Sequence, residues 1–461
     1  MIVIPRHKFL GIHVLVLLLV VILMFQPTVF TLTQAPIWSQ TYGGNGSDAT
    51  EALIQTTDGG YALAGWTTSY SAEVFDFWLV KTDSNGLSQW DRTYGGKGAE
   101  VAEALIQTTD GGYALAGWTN SYGAGYSETQ VYKKYGDFWL VKTDSNGLSQ
   151  WNQTYGGVED DYAEALIQTT DGGYALAGRT ATYGAGDYDF WLVKTDSNGL
   201  SQWNQTYGGV ADDAAEALIQ TTDGGYALAG WTNSYGAGYS ETQVYKKYGD
   251  FWLVKTDSNG LSQWNQTYGG VEDDYAEALI QTTDGGYALA GRTATYGAGD
   301  YDFWLVKTDS NGLSQWNQTY GGVADDAAEA LIQTTDGGYA LAGWTNSYGA
   351  GYSETQVYKK YGDFWLVKTD SNGLSQWNQT YGGVEDDYAE ALIQTTDGGY
   401  ALAGWTGSYG GGFYDSWLVK TEETTFQISG FDYLTTIVIG GVGLLAAGLV
   451  HRRHKKLRQK R

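Results

Sequence analysis

The sequence predicts an all-β protein, a seven-bladed β-propeller made of four-stranded blades. Three observations support this: a repeated octapeptide, a fixed pattern of short strands around each copy, and an array that begins and ends partway through a unit. The octapeptide Asp-Gly-Gly-Tyr-Ala-Leu-Ala-Gly is spaced alternately by 52 and 61 residues and begins at Asp58, Asp110, Asp171, Asp223, Asp284, Asp336 and Asp397. A period of this length is typical of proteins built from copies of one supersecondary unit.

Each unit contains four predicted strands separated by turns and loops. In the first unit the strands cover residues 52–56, 61–67, 77–82 and 87–94. Asp58-Gly59-Gly60 joins the first two strands, because glycine permits the positive φ of tight hairpins. Asp83-Ser-Asn-Gly86 joins the last two strands. Strands so close in sequence are expected to pair in antiparallel fashion.

The third strand of each unit is apolar on both faces. Phe77 and Leu79 point one way and Trp78 and Val80 the other, so the sheet must be covered on both sides. The fourth strand is more polar and suits an outer edge. Such sheets form a propeller when they are arranged around a centre, and a superhelical solenoid when they are stacked in a line.

The two ends of the array favour the closed ring. The array opens with Trp38-Ser-Gln-Thr-Tyr-Gly-Gly44, which matches a fourth strand, and closes with Trp417-Leu-Val-Lys420, which matches a third strand. The N-terminal strand can therefore complete the last blade and remove the exposed edges that a solenoid must cap. Seven copies predict seven blades over residues 36–421.

The repeated motifs resemble a known β-propeller family. The pattern Asp-Gly-Gly-Tyr-x-Leu-Ala-Gly, then Asp-x-Trp-Leu-Val-Lys-x-Asp-x-x-Gly, then Trp-x-x-Thr-Tyr-Gly-Gly is similar to repeats of secreted and cell-surface proteins of archaea and bacteria. This resemblance extends over the whole array and implies the fold without implying an activity. The stretch from Asp83 to Trp90 is also similar to the docking motif of quinoprotein propellers and to sialidase Asp-boxes. Its spacing departs from both, so it implies no site residue.

Composition excludes several classes of function. There are 52 acidic and 26 basic residues, and all the acidic residues lie between Asp48 and Asp432. This acidic body argues against nucleic-acid binding, which depends on neutralising phosphates. The chain has no Cys, and its four His lie outside the repeats, at His7, His13, His451 and His454. The array therefore lacks the usual ligands of zinc, copper and haem, and the Ser-His-Asp and Cys-His nucleophile pairs.

The N-terminal segment is apolar and preceded by basic residues. Arg6 and Lys8 come before an uncharged run that begins at Phe9. This arrangement predicts a signal peptide, or an uncleaved signal anchor helix, within residues 1–35.

The C-terminal segment predicts a second membrane element. After a linker at residues 422–433, the uncharged run 434–450 is just long enough for a transmembrane helix. The basic tail 451–461 is then expected in the cytoplasm, which places the propeller at the cell membrane on the extracellular side. Ser429-Gly-Phe431 loosely resembles archaeal C-terminal sorting signals, which imply processing and lipid attachment instead of a span.

The loop between the second and third strands varies most among the copies. Blades 2, 4 and 6 carry a form nine residues longer, whereas blades 3 and 5 carry the short form and have Arg179 and Arg292 in place of a Trp. Aromatic and polar side chains on loops are common in binding surfaces, although recent duplication also explains their recurrence. The predicted ligand-binding residues are Tyr126, Lys133, Lys134, Tyr239, Lys246, Lys247, Tyr352, Lys359 and Lys360.

The inter-blade loops carry clusters of carboxylates. Glu159-Asp160-Asp161 is one example, and similar runs follow in later blades. Such clusters can bind Ca²⁺, but they lack the alternating spacing of a calcium loop, and an acidic rim in contact with solvent is the alternative. We expect no other metal and no cofactor.

Six Asn-x-Ser/Thr sequences are glycosylation candidates in a protein outside the cell. Five of them lie in the repeated fourth strand, so duplication of a single occurrence also accounts for them. The candidate residues are Asn45, Asn152, Asn204, Asn265, Asn317 and Asn378.

These observations predict a membrane-anchored cell-surface propeller that is not an enzyme and that binds a glycan or a protein through its long-loop face. Two alternatives remain open. One is an extracellular carbohydrate-active hydrolase that uses paired carboxylates, and the other is a structural component of the cell envelope. The sequence names no catalytic residue, because no carboxylate pair differs from those in the other blades.

Overall fold

The computed structural model describes residues 36–71, 74–123, 135–237, 248–349 and 361–422. Every helix or strand within these ranges is a β-strand. The strands are β1 (Trp38–Tyr42), β2 (Asp48–Gln55), β3 (Tyr61–Thr67), β4 (Asp76–Thr82), β5 (Ser88–Tyr94), β6 (Glu100–Gln107), β7 (Tyr113–Thr119), β8 (Asp137–Thr143), β9 (Ser149–Tyr155), β10 (Asp161–Gln168), β11 (Tyr174–Thr180), β12 (Asp189–Thr195), β13 (Ser201–Tyr207), β14 (Asp213–Gln220), β15 (Tyr226–Thr232), β16 (Asp250–Thr256), β17 (Ser262–Tyr268), β18 (Asp274–Gln281), β19 (Tyr287–Thr293), β20 (Asp302–Thr308), β21 (Ser314–Tyr320), β22 (Asp326–Gln333), β23 (Tyr339–Thr345), β24 (Asp363–Thr369), β25 (Ser375–Tyr381), β26 (Asp387–Gln394), β27 (Tyr400–Thr406) and β28 (Asp415–Thr421).

The described strands form seven antiparallel sheets of four strands each. Blade 1 has the order β2-β3-β4-β5, and the next five blades repeat it. The first strands of neighbouring blades contact one another, as β2 does with β6 and β26, so these strands surround the centre. The fourth strand, β5 in blade 1, alternates exposed and half-buried residues and lies outermost. The predicted seven-bladed propeller with a polar outer strand is confirmed.

The innermost strand is longer than the sequence pattern predicts. β2 begins at Asp48 rather than at Ala52, and it pairs with β3 along its length. A β-bulge between Thr50 and Ala52 shifts the register at Glu51. A bulge interrupts the alternation of the two faces, so the hydrophobic pattern reveals only the part of the strand that follows it.

The N-terminal strand completes the last blade, as predicted. That blade has the order β1-β28-β27-β26, and β1 pairs with β28 from Trp38↔Lys420 to Tyr42↔Ser416. The Tyr42 hydroxyl also donates a 2.6 Å hydrogen bond to the carbonyl of Gly86 in blade 1. The chain therefore closes the ring by covering the edge of β28.

The hydrophobic core lies between adjacent blades. Phe77 and Leu79 of blade 1 pack into a cluster with blade 2, and the ring centroids of Phe77 and Trp139 are 4.6 Å apart. Trp78 and Val80 pack on the other side, against the last blade. A buried side chain of this size stabilises the fold by about 1.5–3 kcal/mol, so every blade junction contributes to a rigid ring.

A buried lysine fixes the hairpin turn at one end of each blade. Lys81 is 5% exposed, and its Nζ lies 2.9 Å from Oδ2 of Asp58. Burial alone would raise the pKa of Asp58, but hydrogen bonds from Thr56, Lys81 and the N–H of Gly60 hold it at about 2. The other blades repeat the ion pair as Lys142–Asp110, Lys194–Asp171, Lys255–Asp223, Lys307–Asp284, Lys368–Asp336 and Lys420–Asp397.

The variable loops gather at the opposite end, which we call the loop face. Asp48 at the start of β2 pairs with Thr67 at the end of β3, and Thr67 pairs with Asp76 at the start of β4. The inter-blade loops and the loops between second and third strands therefore share this face.

Within the described ranges, no helix is long and apolar enough to cross a membrane. The predicted segments at 1–35, 434–450 and 451–461 lie outside the residues that the structure describes.

Candidate functional site at the mouth of the central channel

One glutamate from each innermost strand faces the central channel. Each sits at the β-bulge of its strand, as Glu51 does between Thr50 and Ala52. Bulges commonly redirect a side chain near functional sites. We call the seven residues the glutamate ring; they line a cavity of about 110 Å³ and are Glu51, Glu103, Glu164, Glu216, Glu277, Glu329 and Glu390.

The last glycine of the octapeptide permits this bulge. Gly65 pairs with Thr50, and a Cβ at Gly65 would overlap the carbonyl oxygen of Ala49. The same overlap occurs in the other blades at Gly117, Gly178, Gly230, Gly291, Gly343 and Gly404. A glycine within a strand is typical of such a close backbone approach. The octapeptide therefore encodes both a hairpin turn and the position of the channel glutamate.

A collar of larger side chains lies beside the glutamate ring, near the loop face. It consists of Trp66, Trp118, Arg179, Trp231, Arg292, Trp344 and Trp405, all half-buried. Trp66 Nε1 donates a 3.0 Å hydrogen bond to Oε1 of Glu51. The same bond, at 3.2 Å, joins Trp231 to Glu216, Trp344 to Glu329 and Trp405 to Glu390. The collar thus holds carboxylates of the ring in fixed positions.

Two blades place an arginine in the collar. Arg179 Nη1 lies 3.3 Å from Oε1 of Glu164 in its own blade and 4.0 Å from Oε1 of Glu216 in the next. Blade 5 repeats this arrangement, with Nη1 of Arg292 at 3.6 Å and 4.0 Å from Glu277 and Glu329. Each arginine therefore spans two neighbouring glutamates.

Tyrosines surround these arginines. Cζ of Arg179 lies 5.0 Å from the ring centroid of Tyr162 and 5.8 Å from that of Tyr188, within the range of cation–π attraction. The same two distances relate Arg292 to Tyr275 and Tyr301. Tyr162 also occupies space beside the preceding blade, because a Cβ at Gly136 would lie 2.7 Å from its Cε1. Gly136 therefore makes room for the tyrosine of the next blade.

Enclosure raises the pKa of the ring carboxyls. Burial raises the pKa of Glu51 to about 7, against the hydrogen bond from Trp66 and with added repulsion from Glu164. Burial also raises the pKa of Glu164 to about 7 despite Arg179, and that of Glu329 to about 8. The pKa values of Glu103, Glu216, Glu277 and Glu390 are raised as well, again chiefly by burial. Carboxyls that titrate near neutral pH in a cavity are candidates for function.

The predicted ligand-binding residues of the long loops lie outside the described residues. The structure places the strands that bear these loops: the blade 2 loop leaves β7 after Thr119 and returns to β8 at Asp137, on the loop face. The part of the prediction that concerns Tyr126, Lys133 and Lys134, and their counterparts in blades 4 and 6, stays a prediction.

The inter-blade carboxylates contribute to local structure. Asp161 is fully buried and accepts hydrogen bonds from the Thr180 hydroxyl and the N–H of Gly157. Asp160 accepts a 2.8 Å hydrogen bond from the backbone of Gly136. The alternative of an acidic rim in contact with solvent therefore fits Glu159, which is exposed. It does not fit Asp160 and Asp161, which are half-buried and buried. In the described part of the chain, no group of three or more His, Cys, Asp or Glu is arranged to hold a metal ion.

Most of the glycosylation candidates lie on the outer surface. Asn152 is exposed on β9, where its Oδ1 accepts a 3.2 Å hydrogen bond from Trp139 Nε1, and Asn45 is exposed in the loop after β1. Asn378 is only 8% exposed. Asn204, Asn265 and Asn317 are exposed on the outer strands of their blades and accept the same hydrogen bond from a Trp Nε1 as Asn152 does. Their modification stays a prediction.

Sequence reasoning missed the glutamate ring. A detectable signal was present, since Glu precedes Ala-Leu-Ile-Gln in all seven copies. A charged residue repeated next to an apolar strand is informative, because a fully buried strand would exclude it. The hydrophobic pattern predicts a strand from Ala52, one residue after Glu51, and so does not include the glutamate in the strand.

Comparison with known protein families finds no match. Among curated proteins, the chain is similar to the regulatory protein FlaEY of Caulobacter vibrioides, with 23% identity over 255 residues. The match covers 51% of this chain and 26% of that protein, so this chain spans about a quarter of the length of the relative.

Solved structures with low sequence identity show similarity in fold alone. BBS1N in complex with ARL6DN has a TM-score of 0.46 and 10% identity, over 86% of this chain and 99% of that chain. The Neurospora crassa Pan2 WD40 domain has a TM-score of 0.36 and 10% identity, over 70% and 90%. A putative gluconolactonase has a TM-score of 0.36 and 8% identity, over 86% and 100%.

Proposed function

We propose that this chain is a non-enzymatic, membrane-anchored cell-surface propeller that binds a glycan or a protein through its loop face. The terminal segments of the sequence predict the membrane anchor and the extracellular position of the propeller. We expect no nucleic-acid partner, because the acidic body repels phosphates.

The distribution of differences among the blades supports binding at the loop face. At the opposite end, all seven blades repeat the Asp-Gly-Gly turn and its lysine pair. At the loop face, the blades differ in loop length and in whether Trp or Arg occupies the collar. Binding residues are commonly carried by loops on a rigid scaffold, so the variable face is the better candidate for recognition.

The hydrolase alternative depends on the glutamate ring. Carboxyls with a raised pKa act as general acids in glycosidases, and burial raises the pKa of Glu51 to about 7. Hydrolysis of a polysaccharide by the purified chain, lost in Glu51→Gln, would favour this alternative over binding alone.

The experiment compares the full-length chain with a variant in which nine residues are removed from each long loop. The removed segments are 126–134, 239–247 and 352–360, which gives blades 2, 4 and 6 the period of blades 3 and 5. Both proteins are applied to glycan arrays and to cell-wall fractions, and thermal unfolding checks that the scaffold is intact. We expect binding by the wild type and its loss in the variant. If neither protein binds, the proposal is wrong.

A further inference from the structure

The arginines neutralise one side of the glutamate ring. Arg179 contacts the glutamates of blades 3 and 4, and Arg292 contacts those of blades 5 and 6. The three remaining glutamates belong to blades 7, 1 and 2, which are consecutive in the closed ring. Among the described residues, the ring carboxyls without an arginine contact are therefore grouped on one arc of the channel, formed by Glu390, Glu51 and Glu103.

Blade 7 has the surroundings of an arginine blade without the arginine. Tyr388 and Tyr414 occupy the places that Tyr162 and Tyr188 occupy around Arg179. In blade 7 they contact Trp405, with ring centroids 4.5 Å and 4.7 Å apart. In blades 3 and 5 the corresponding tyrosines surround a guanidinium, so this environment tolerates a cation at the place that Trp405 fills in blade 7.

The unneutralised arc also presents three consecutive tryptophans. Trp405, Trp66 and Trp118 are half-buried at the channel mouth, and Trp is the best aromatic partner for a cation. A cavity needs only about 10–15 Å³ in this measure to hold one water, so the cavity of about 110 Å³ has room for a group larger than a water molecule. Carboxylates bind that planar head through paired hydrogen bonds.

We infer that this channel-mouth arc, consisting of Glu390, Glu51, Glu103, Trp405, Trp66 and Trp118, binds an arginine side chain of a protein partner. The inference rests on the proposed binding function and selects a protein rather than a glycan as the ligand. The evidence is charge complementarity together with the guanidinium groups already seated in blades 3 and 5. The partner's arginine would complete the neutralisation that Arg179 and Arg292 begin.

The test measures the affinity of the full-length chain for the peptide acetyl-Gly-Arg-Gly-amide by isothermal titration calorimetry at pH 8. Citrulline replaces arginine in the control peptide, which keeps the shape and removes the charge. We expect binding of the arginine peptide and at least a tenfold loss for the citrulline peptide, since carboxylates form stronger hydrogen bonds with the charged guanidinium than with the neutral urea group. Equal binding of the two peptides would overturn the inference.

Two variants and a matched control locate the site. Trp405→Arg supplies an internal guanidinium in an environment that already holds one in blades 3 and 5, so it should fold and should abolish peptide binding. Glu51→Gln should weaken binding about tenfold, whereas Glu216→Gln, on the neutralised side, should change it less than twofold. Unchanged binding in Trp405→Arg, or equal losses in the two Gln variants, would overturn the proposed location.

Failure of this inference is distinguishable from failure of the proposed function. If the peptide does not bind but cell-wall or glycan binding still depends on the long loops, the arc is not an arginine site and the proposed function stands. If millimolar Ca²⁺ competes fully with the peptide and itself binds more tightly, the arc is a metal site and the inference is wrong.

Discussion

The backbone N–H of Thr396, in the last blade, donates a 3.0 Å hydrogen bond to Oε1 of Gln55, in the first blade. The same contact joins every other pair of adjacent blades, as Thr57–Gln107, Thr109–Gln168, Thr170–Gln220, Thr222–Gln281, Thr283–Gln333 and Thr335–Gln394. The junction between the two ends of the array is therefore built like the junctions within it.

Loss of the glutamine side chain should lower the free energy of unfolding by the same amount at any junction between blades. Gln55→Ala and Gln220→Ala should each lower the free energy of unfolding by about 1 kcal/mol, the usual net value of a hydrogen bond. Urea denaturation of the full-length chain measures both. If Gln55→Ala has no effect while Gln220→Ala is destabilising, the first and last blades are not joined as described.

Removal of the closing strand should damage the fold more severely. Deletion of residues 38–42 removes the pairing of β1 with β28 and exposes the edge of the last blade. Open sheet edges promote association, so we expect a lower melting temperature and oligomers in sedimentation experiments. Tyr42→Phe is the control, since it removes only the bond to Gly86. A monomeric deletion variant of unchanged stability would contradict the closure.

Because the backbone of β2 lies very close to Gly65, we expect one added methyl group at this position to destabilise the fold. A Cβ there would overlap the carbonyl of Ala49, so Gly65→Ala should destabilise by about 1–3 kcal/mol, as overpacking usually does. Gly59→Asn is the matched control, because Gly59 has φ +84°, nothing lies within 4 Å of its Cβ position, and Asn tolerates such a φ. Equal stability of Gly65→Ala and the wild type in thermal unfolding would refute the bulge geometry.

The carboxyls of the glutamate ring and those of the hairpin turns should affect the stability of the fold in opposite directions as the pH changes. The pKa of Glu51 is raised from 4.5 to about 7 by burial, so its contribution is complete below pH 4.5 and is lost as the pH rises through 7. The pKa of Asp58 is lowered from 3.8 to about 2, so its contribution is present above pH 3.8 and is lost as the pH falls through 2.

Stability should therefore be greatest at about pH 4–5. Glu51→Gln should reduce the decline between pH 4.5 and 7, and Asp58→Asn should affect only the acid side. Melting temperatures measured from pH 2 to 9 check both effects. A melting temperature that rises steadily from pH 5 to 8 in the wild type would show that the glutamate ring does not destabilise the fold.

The sequence predicts the ring well because each blade repeats its own local signals. The turn glycines, the two-sided apolar third strand and the split last blade specify strand order and closure. The channel site was missed for a physical reason: the bulge at Glu51 breaks the period-two pattern by which strands are recognised. In the same way, the sequence shows that Arg179 stands where other blades have a Trp. Its contact with Glu216 of the next blade forms only when the blades pack into the ring.

The most direct test is a crystal structure of the chain soaked with methylguanidinium at pH 8. We expect planar density at the channel mouth, within hydrogen-bond distance of Glu51 and Glu103 and against the face of Trp66. In Trp405→Arg crystals soaked in the same way, the new arginine should replace this density. Density only at other surfaces, or identical density in both crystals, would show that this arc does not bind a guanidinium group.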